Sequence, residues 1–183
     1  MKRTELRGVL VFCSLLLCGC GAQEAAVVQV TPGSSVGAVQ LGASLAEVTE
    51  ILGAPLLAEA ESVADSLLRN EWSVGTGVLS VLLYQGEVIQ VKVEGTAYET
   101  SAGVNRQSSV SEVRNAHPNM EASIMAHDME NMYLDGIAEG IAFTIREGRP
   151  GETTNSDGDV INVFVHYPGQ EVIAIVHHHD SHH

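Results

Sequence analysis

The chain has 183 residues, and its 9 Lys and Arg against 23 Asp and Glu give a formal charge of −14. That balance argues against nucleic acid as a partner, because a phosphate-binding surface needs clustered cations to displace condensed counterions, and here the few basic residues are scattered among acids. With 45% hydrophobic and 17% charged residues, the chain has enough apolar content to close a core and lies far from the composition of disordered segments.

Lys2, Arg3 and Arg7 precede a mostly apolar run from Gly8 to Leu17, too short to anchor across a bilayer, so residues 1–19 read as a secretory signal. The run ends in Leu17-Cys18-Gly19-Cys20, which resembles the bacterial lipobox, with an aliphatic residue three before the acceptor cysteine and a small one directly before it. The resemblance implies that Cys20 becomes the mature amino terminus and carries covalent lipid, whose several chains hold far more firmly than one. Cys13 and Cys18 leave with the signal, and no thiol remains to build a disulfide framework. Gly21 follows the acceptor, which favours the outer membrane with the body facing the periplasm. The alternative is an ordinary secretory cut after Ala22. So acidic a body is repelled by anionic headgroups, which leaves the lipid as the membrane contact.

Residues 20–35 read as a lipidated terminus and linker, with VVQV at 27–30 a short strand and PGSSVG at 32–37 a turn. Ser44 and Glu47 form a capping box that opens a helix with Leu45, Val48, Ile51 and Leu52 on one face, stopped by Gly53-Ala54-Pro55. The same grammar returns at Ser109 and Glu112, with Val110, Val113 and Ala116 as the apolar stripe and His117-Pro118-Asn119 as the stop.

Downstream, Val88 to Val93 is answered seventy-two positions later by Val160 to Val165, and residues 77–84 correspond to 140–147. The tight Gln85-Gly86-Glu87 turn gives way to a long Gly/Asp/Asn loop in the second hairpin. First strands fall near Leu68 to Val74 and Asn131 to Asp135, and Glu171 to Val176 adds a last apolar strand. Strict alternation points Ile89, Val91, Val93, Ile161, Val163 and Val165 toward the helices, and Gln90, Lys92, Asn162 and Phe164 outward, with Tyr84 able to face either way. The predicted class is α+β: two tandem modules at 36–100 and 101–176, each a short helical segment packed on a three- to four-stranded antiparallel sheet, followed by a His-rich tail at 177–183.

Together with the lipobox, the pattern Gly42, Ser44, Glu47-Val48, Leu52-Gly53-Ala54-Pro55 resembles the SmpA/OmlA (BamE-like) outer-membrane lipoproteins. Two such units in tandem also resemble the beta-lactamase inhibitor protein, whose modules bind a partner over a concave sheet face. The second unit departs at His117-Pro118, where Leu-Gly would stand. The one functional residue these resemblances carry over is the lipid-bearing Cys20.

Chemistry is sparse. No phosphate loop and no Ser-x-x-Lys pair occurs, so neither a nucleotide site nor an enzyme is expected. Asn155, Asp157 and Asp159 have calcium-loop spacing, but Val160 and His166 stand where a Gly and a bidentate Glu belong, so the segment reads as a solvated turn. His177, His178, His179, His182 and His183 crowd the tail as weak transition-metal candidates without a scaffold. His117, His127 and His166 are isolated, and Trp72 reads as core. Gln90, Lys92, Asn162, Phe164 and His166 form the candidate partner-binding surface, with packing of Phe164 between the modules as its rival. The expectation is a lipid-anchored, non-catalytic interaction or scaffold protein, with an envelope protein as partner, in outer-membrane assembly or maintenance. The alternatives are a metal-binding lipoprotein or an inhibitor-like binder of a periplasmic protein.

Overall fold

The computed structural model describes residues 27–60, 67–95, 97–123, 131–146 and 159–172. Among these, the first half holds β1 (Val28–Thr31), β2 (Ser35–Val36), β3 (Val39–Gln40), α1 (Leu45–Leu52), β4 (Leu57–Ala60), β5 (Leu67–Val74), β6 (Gly77–Tyr84), β7 (Glu87–Glu94) and β8 (Tyr98–Thr100). The second half holds α2 (Val110–Ala116), β9 (Glu121–Ser123), β10 (Asn131–Gly136), β11 (Ile141–Arg146) and β12 (Asp159–His166).

These elements overturn the α+β expectation. The described residues are mostly β, with twelve strands in two sheets and two short helices. The two modules do not carry separate sheets. One eight-stranded sheet, in the order β4-β5-β6-β7-β12-β11-β10-β9, runs through both halves and is joined by antiparallel pairing of β7 with β12. A four-stranded sheet, β3-β2-β1-β8, lies beside it, with β1 parallel to β8 and antiparallel to β2. β1 is the short strand expected at VVQV, whereas the expected turn at 32–37 contains β2, and Val30 and Val36 of these two strands are buried in the core. A strand of two or three residues leaves too short an alternation to stand out from a loop, whereas a capping box announces a helix of only eight residues loudly.

Side chains opposite one another in neighbouring strands share a face of the sheet. Across six strands, Trp72, Leu79, Val93, Val163, Phe143 and Leu134 stand in one row, and all six are buried. Val48 of α1, Val113 of α2 and Val30, Val36, Val39 and Tyr98 of the small sheet join the same cluster. Each such side chain withdrawn from water contributes roughly 1.5–3 kcal/mol, so this face is the core. Trp72 donates its indole N–H to the Gly53 carbonyl at 2.8 Å, which fixes the end of α1 onto β5. Ile51, expected on the buried stripe, is exposed, because so short a helix meets the sheet along the line of Val48 with Leu45 and Leu52 at its margins.

The register breaks between Leu82 and Leu83 against β7, and between Thr144 and Ile145 against β12. Each break is a bulge that leaves one residue unpaired, Ile89 in the first hairpin and Ile161 in the second. Strict alternation is therefore wrong at these two residues: Val88 and Val160 take the core positions expected of Ile89 and Ile161. The bulges also align Leu82 with Thr144, one residue off the sequence-based match of residues 77–84 with 140–147.

Both helices start at the predicted capping boxes. Ser44 donates its N–H to Glu47 Oε2 at 2.8 Å while the Glu47 N–H donates to Ser44 Oγ at 3.3 Å, and Ser109 with Glu112 repeats the exchange. The serine backbone N–H, then its hydroxyl, holds each carboxyl below the ordinary glutamate value of 4.5. A folded-state value lowered in this way means a contribution present at neutral pH and lost as acidification passes below that ordinary value. Ser44→Ala and Ser109→Ala are each expected to cost about 1 kcal/mol in urea unfolding at pH 7. The double variant should lose less stability than the parent between pH 6 and pH 3; an equal decline would separate the boxes from the acid response.

Candidate functional site

The opposite face of the eight-stranded sheet is polar. Its middle row runs Glu71, Ser80, Lys92, Phe164, Ala142, Asp135, from β5 to β10. On one side stand Arg69, Leu82, Gln90 and His166, and on the other Ser73, Val78, Glu94, Asn162, Thr144 and Tyr133. Two strands thus alternate basic and acidic side chains on this face, Arg69 with Glu71 and Lys92 with Glu94.

The charges are paired within the face. Lys92 Nζ lies 2.6 Å from Glu94 Oε2 and 5.9 Å from the centre of the Phe164 ring. Arg69 Nε is 3.7 Å from Glu71 Oε1, which also accepts the Ser80 hydroxyl at 3.2 Å. His166 Nε2 faces Asp135 Oδ1 at 3.2 Å, and its Nδ1 lies 3.1 Å from the Tyr167 carbonyl oxygen. The second oxygen of Asp135 accepts the Val172 N–H at 3.1 Å, so the chain after β12 turns back over this end of the face. Val172 there packs with Tyr133, Ala142 and Phe164, and the Tyr133 and Phe164 rings sit 6.3 Å apart at 50°. Thr144 Oγ1 and Asn162 Oδ1, on directly opposed residues, are buried without a hydrogen-bond partner among the described residues.

All five residues proposed for partner binding therefore lie on one face, but their exposure departs from the expectation. Gln90 and His166 are 1% exposed, Phe164 3% and Asn162 8%, while Lys92 is half-buried. Phe164 is no projecting anchor. It packs beneath Lys92 across the join of the two halves, which is the rival reading given above. The charged groups of these rows that reach solvent are Glu94 with part of Lys92 and Glu71. Asp135, Tyr133, Arg69 and Glu71 were missed as members of this face, although Arg69-Asn70-Glu71 already shows the alternating charge that marks them.

Elsewhere, His117 caps α2, pairs through Nδ1 with Glu139 Oε2 at 2.5 Å and tilts against Phe143. It is thus a buried structural residue. Tyr84, at the end of β6, is exposed. Cys20, His127, Asn155, Asp157 and His177, His178, His179, His182 and His183 lie outside the described residues, as does most of the strand expected from Glu171 to Val176. Among the described residues no helix is long and apolar enough to cross a membrane, and no group of three or more His, Cys, Asp or Glu is placed to hold a metal ion.

The fold has solved counterparts. The chain is similar to a cysteine-rich secretory protein from Staphylococcus aureus, at 12% identity and a TM-score of 0.50, over 80% of this chain and 55% of that one. It is also similar to an extracellular protein containing an SCP domain from Bacillus anthracis, at 10% identity and a TM-score of 0.45, over 70% of this chain and 44% of that one. A "putative beta-lactamase inhibitor protein" from Streptococcus mutans matches at 12% identity and a TM-score of 0.32, over 74% of this chain and 88% of that one. The chain thus spans about half the length of the first two proteins it matches. At such identities the staphylococcal match shows a shared fold alone. No protein-family model matches the chain, and no curated protein matches its sequence.

Proposed function

We propose that this protein is a lipid-anchored envelope protein, held in the outer membrane through Cys20, that binds another envelope protein and performs no chemistry of its own. The anchor is supported by the order of charged start, apolar run and Leu17-Cys18-Gly19-Cys20. The observation that carries the binding role is the polar sheet face. The helices and the small sheet gather on the apolar side, while the opposite face presents ordered, alternating charge at mid-sheet through Lys92 and Glu94. Complementary charge of this kind sets orientation and partner choice more than raw affinity.

The test is made on the full chain in its native host. Wild-type protein should fractionate with membranes and carry acyl mass on Cys20, and Cys20→Ala should release it from that fraction or leave it unprocessed. Crosslinking from intact cells should recover one protein whose yield falls about tenfold with Lys92→Glu, the cost of a like-charge contact of about 1.4 kcal/mol. An unacylated Cys20 would remove the anchor, and equal recovery with Lys92→Glu would remove this face as the binding surface.

A further inference from the structure

The β7–β12 join has a symmetry of its own. The two bulges make Val88-Ile89-Gln90 equivalent to Val160-Ile161-Asn162, so each residue of β7 corresponds to the one seventy-two positions later in β12. In the observed register, Val91 faces Val165 and Val93 faces Val163, which means that each valine faces the equivalent of the other. Gln90 faces His166, the equivalent of Glu94, and Glu94 faces Asn162, the equivalent of Gln90. Lys92 faces Phe164, its own equivalent. A local two-fold axis therefore passes between Lys92 and Phe164, and the row through them is symmetric further out, with Glu71 and Asp135 at its two ends.

This is the geometry of an isologous interface, in which the same patch meets itself. The residue on the axis of such an interface confronts its own copy. Two lysines there would place like charges directly opposite one another, which is destabilising across a strand pair. The chain instead sets Lys92 over the Phe164 ring at 5.9 Å and gives its ammonium to Glu94.

We infer that β7 and β12 form a self-complementary edge whose unlike axial pair, Lys92 with Phe164, specifies that the first half of the chain joins the second half and not another copy of itself. The valine pairs fit either arrangement equally. The flanking pairs change, but to neutral-with-charged contacts in either arrangement, whereas at the axis a β7–β7 joining would set Lys92 against Lys92.

The experiment uses the full chain and exchanges the pair. Phe164→Lys places two lysines on the axis and should lower the folding equilibrium constant at least about tenfold in urea titration, since a buried ring is replaced by an ammonium with a like charge opposite. Phe164→Leu, which removes the ring without adding charge, should lose less. The exchanged variant Lys92→Phe/Phe164→Lys should recover at least half of the loss on a logarithmic scale, because the two-fold relation returns a lysine to the face of a phenylalanine, with Asp135 at the far end of its row. If Phe164→Lys does not fold at all, folding of the exchanged variant supports the inference equally. Failure of the exchange to recover stability, or a Phe164→Lys chain as stable as the parent, would overturn it.

Discussion

Gly140→Ala is expected to lower stability by about 3 kcal/mol or more, the sum of two penalties that no side-chain movement relieves. Gly140 has φ +72°, where an L-residue is strained by roughly 1–2 kcal/mol. A Cβ there would also stand 2.4 Å from the His166 carbonyl oxygen and 2.7 Å from the Gly33 Cα, and both are backbone. Overpacking of that kind costs roughly a further 1–3 kcal/mol. The contact is tight because Gly33 and His166 both donate their N–H groups to the Gly140 carbonyl, at 3.0 and 3.1 Å. The turn after β1 is thereby stitched to the turn between β10 and β11 and to the end of β12, so the small sheet is tied to the second half of the large one. Gly53→Ala is the control. Its φ is +83°, but nothing lies within 4 Å of the added methyl, so it should show the conformational penalty alone. Gly140→Ala should lose more unfolding free energy than Gly53→Ala in urea titration, and equal losses would show that the crossing yields.

Local signals carried the sequence reading as far as they reach. A capping box involves four consecutive residues, and both helices begin where Ser44 and Ser109 place them. The strands from Val88 and Val160 were legible because six residues of alternation suffice to mark them. A bulge leaves no such mark. Val-Ile-Gln-Val and Val-Ile-Asn-Val keep their alternation on paper while Ile89 and Ile161 fall out of register, since the extra residue is defined by the partner strand and not by its own neighbours. The joining of two meanders into one sheet is equally non-local: Lys92 and Phe164 are far apart in the chain, and the burial of Phe164 follows only once they meet. The class was misjudged for the same reason, because β2, β3 and β9 acquire strand character from their pairing and not from their composition. Of the candidate face, the positions of Gln90, Lys92, Asn162 and Phe164 on one side were legible from the two-residue period. Their burial was not, and neither was the pairing of His166 with Asp135 two strands away.

That pair is where the loss of one polar group should be felt most. Asp135 and His166 are both buried, their facing oxygen and nitrogen lie 3.2 Å apart, and neither of these two atoms makes a hydrogen bond among the described residues, so each has the other as its close polar contact. Asp135→Ala removes the acceptor of the Val172 N–H as well as the group facing His166. Two buried polar groups are left without partners, at roughly 1–3 kcal/mol each, so a loss of about 3 kcal/mol is expected in urea unfolding. Asp135→Asn keeps an amide oxygen for Val172 and should cost less. His166→Leu fills most of the same space and isolates Asp135 Oδ1 instead. If the two side chains stabilise one another, the double variant Asp135→Ala/His166→Leu will be destabilised by about 1 kcal/mol or more less than the sum of the single losses. Additivity within about 0.5 kcal/mol would reduce the pair to two neighbours that share a strand end, and would leave Val172 as the only reason for a carboxylate at position 135.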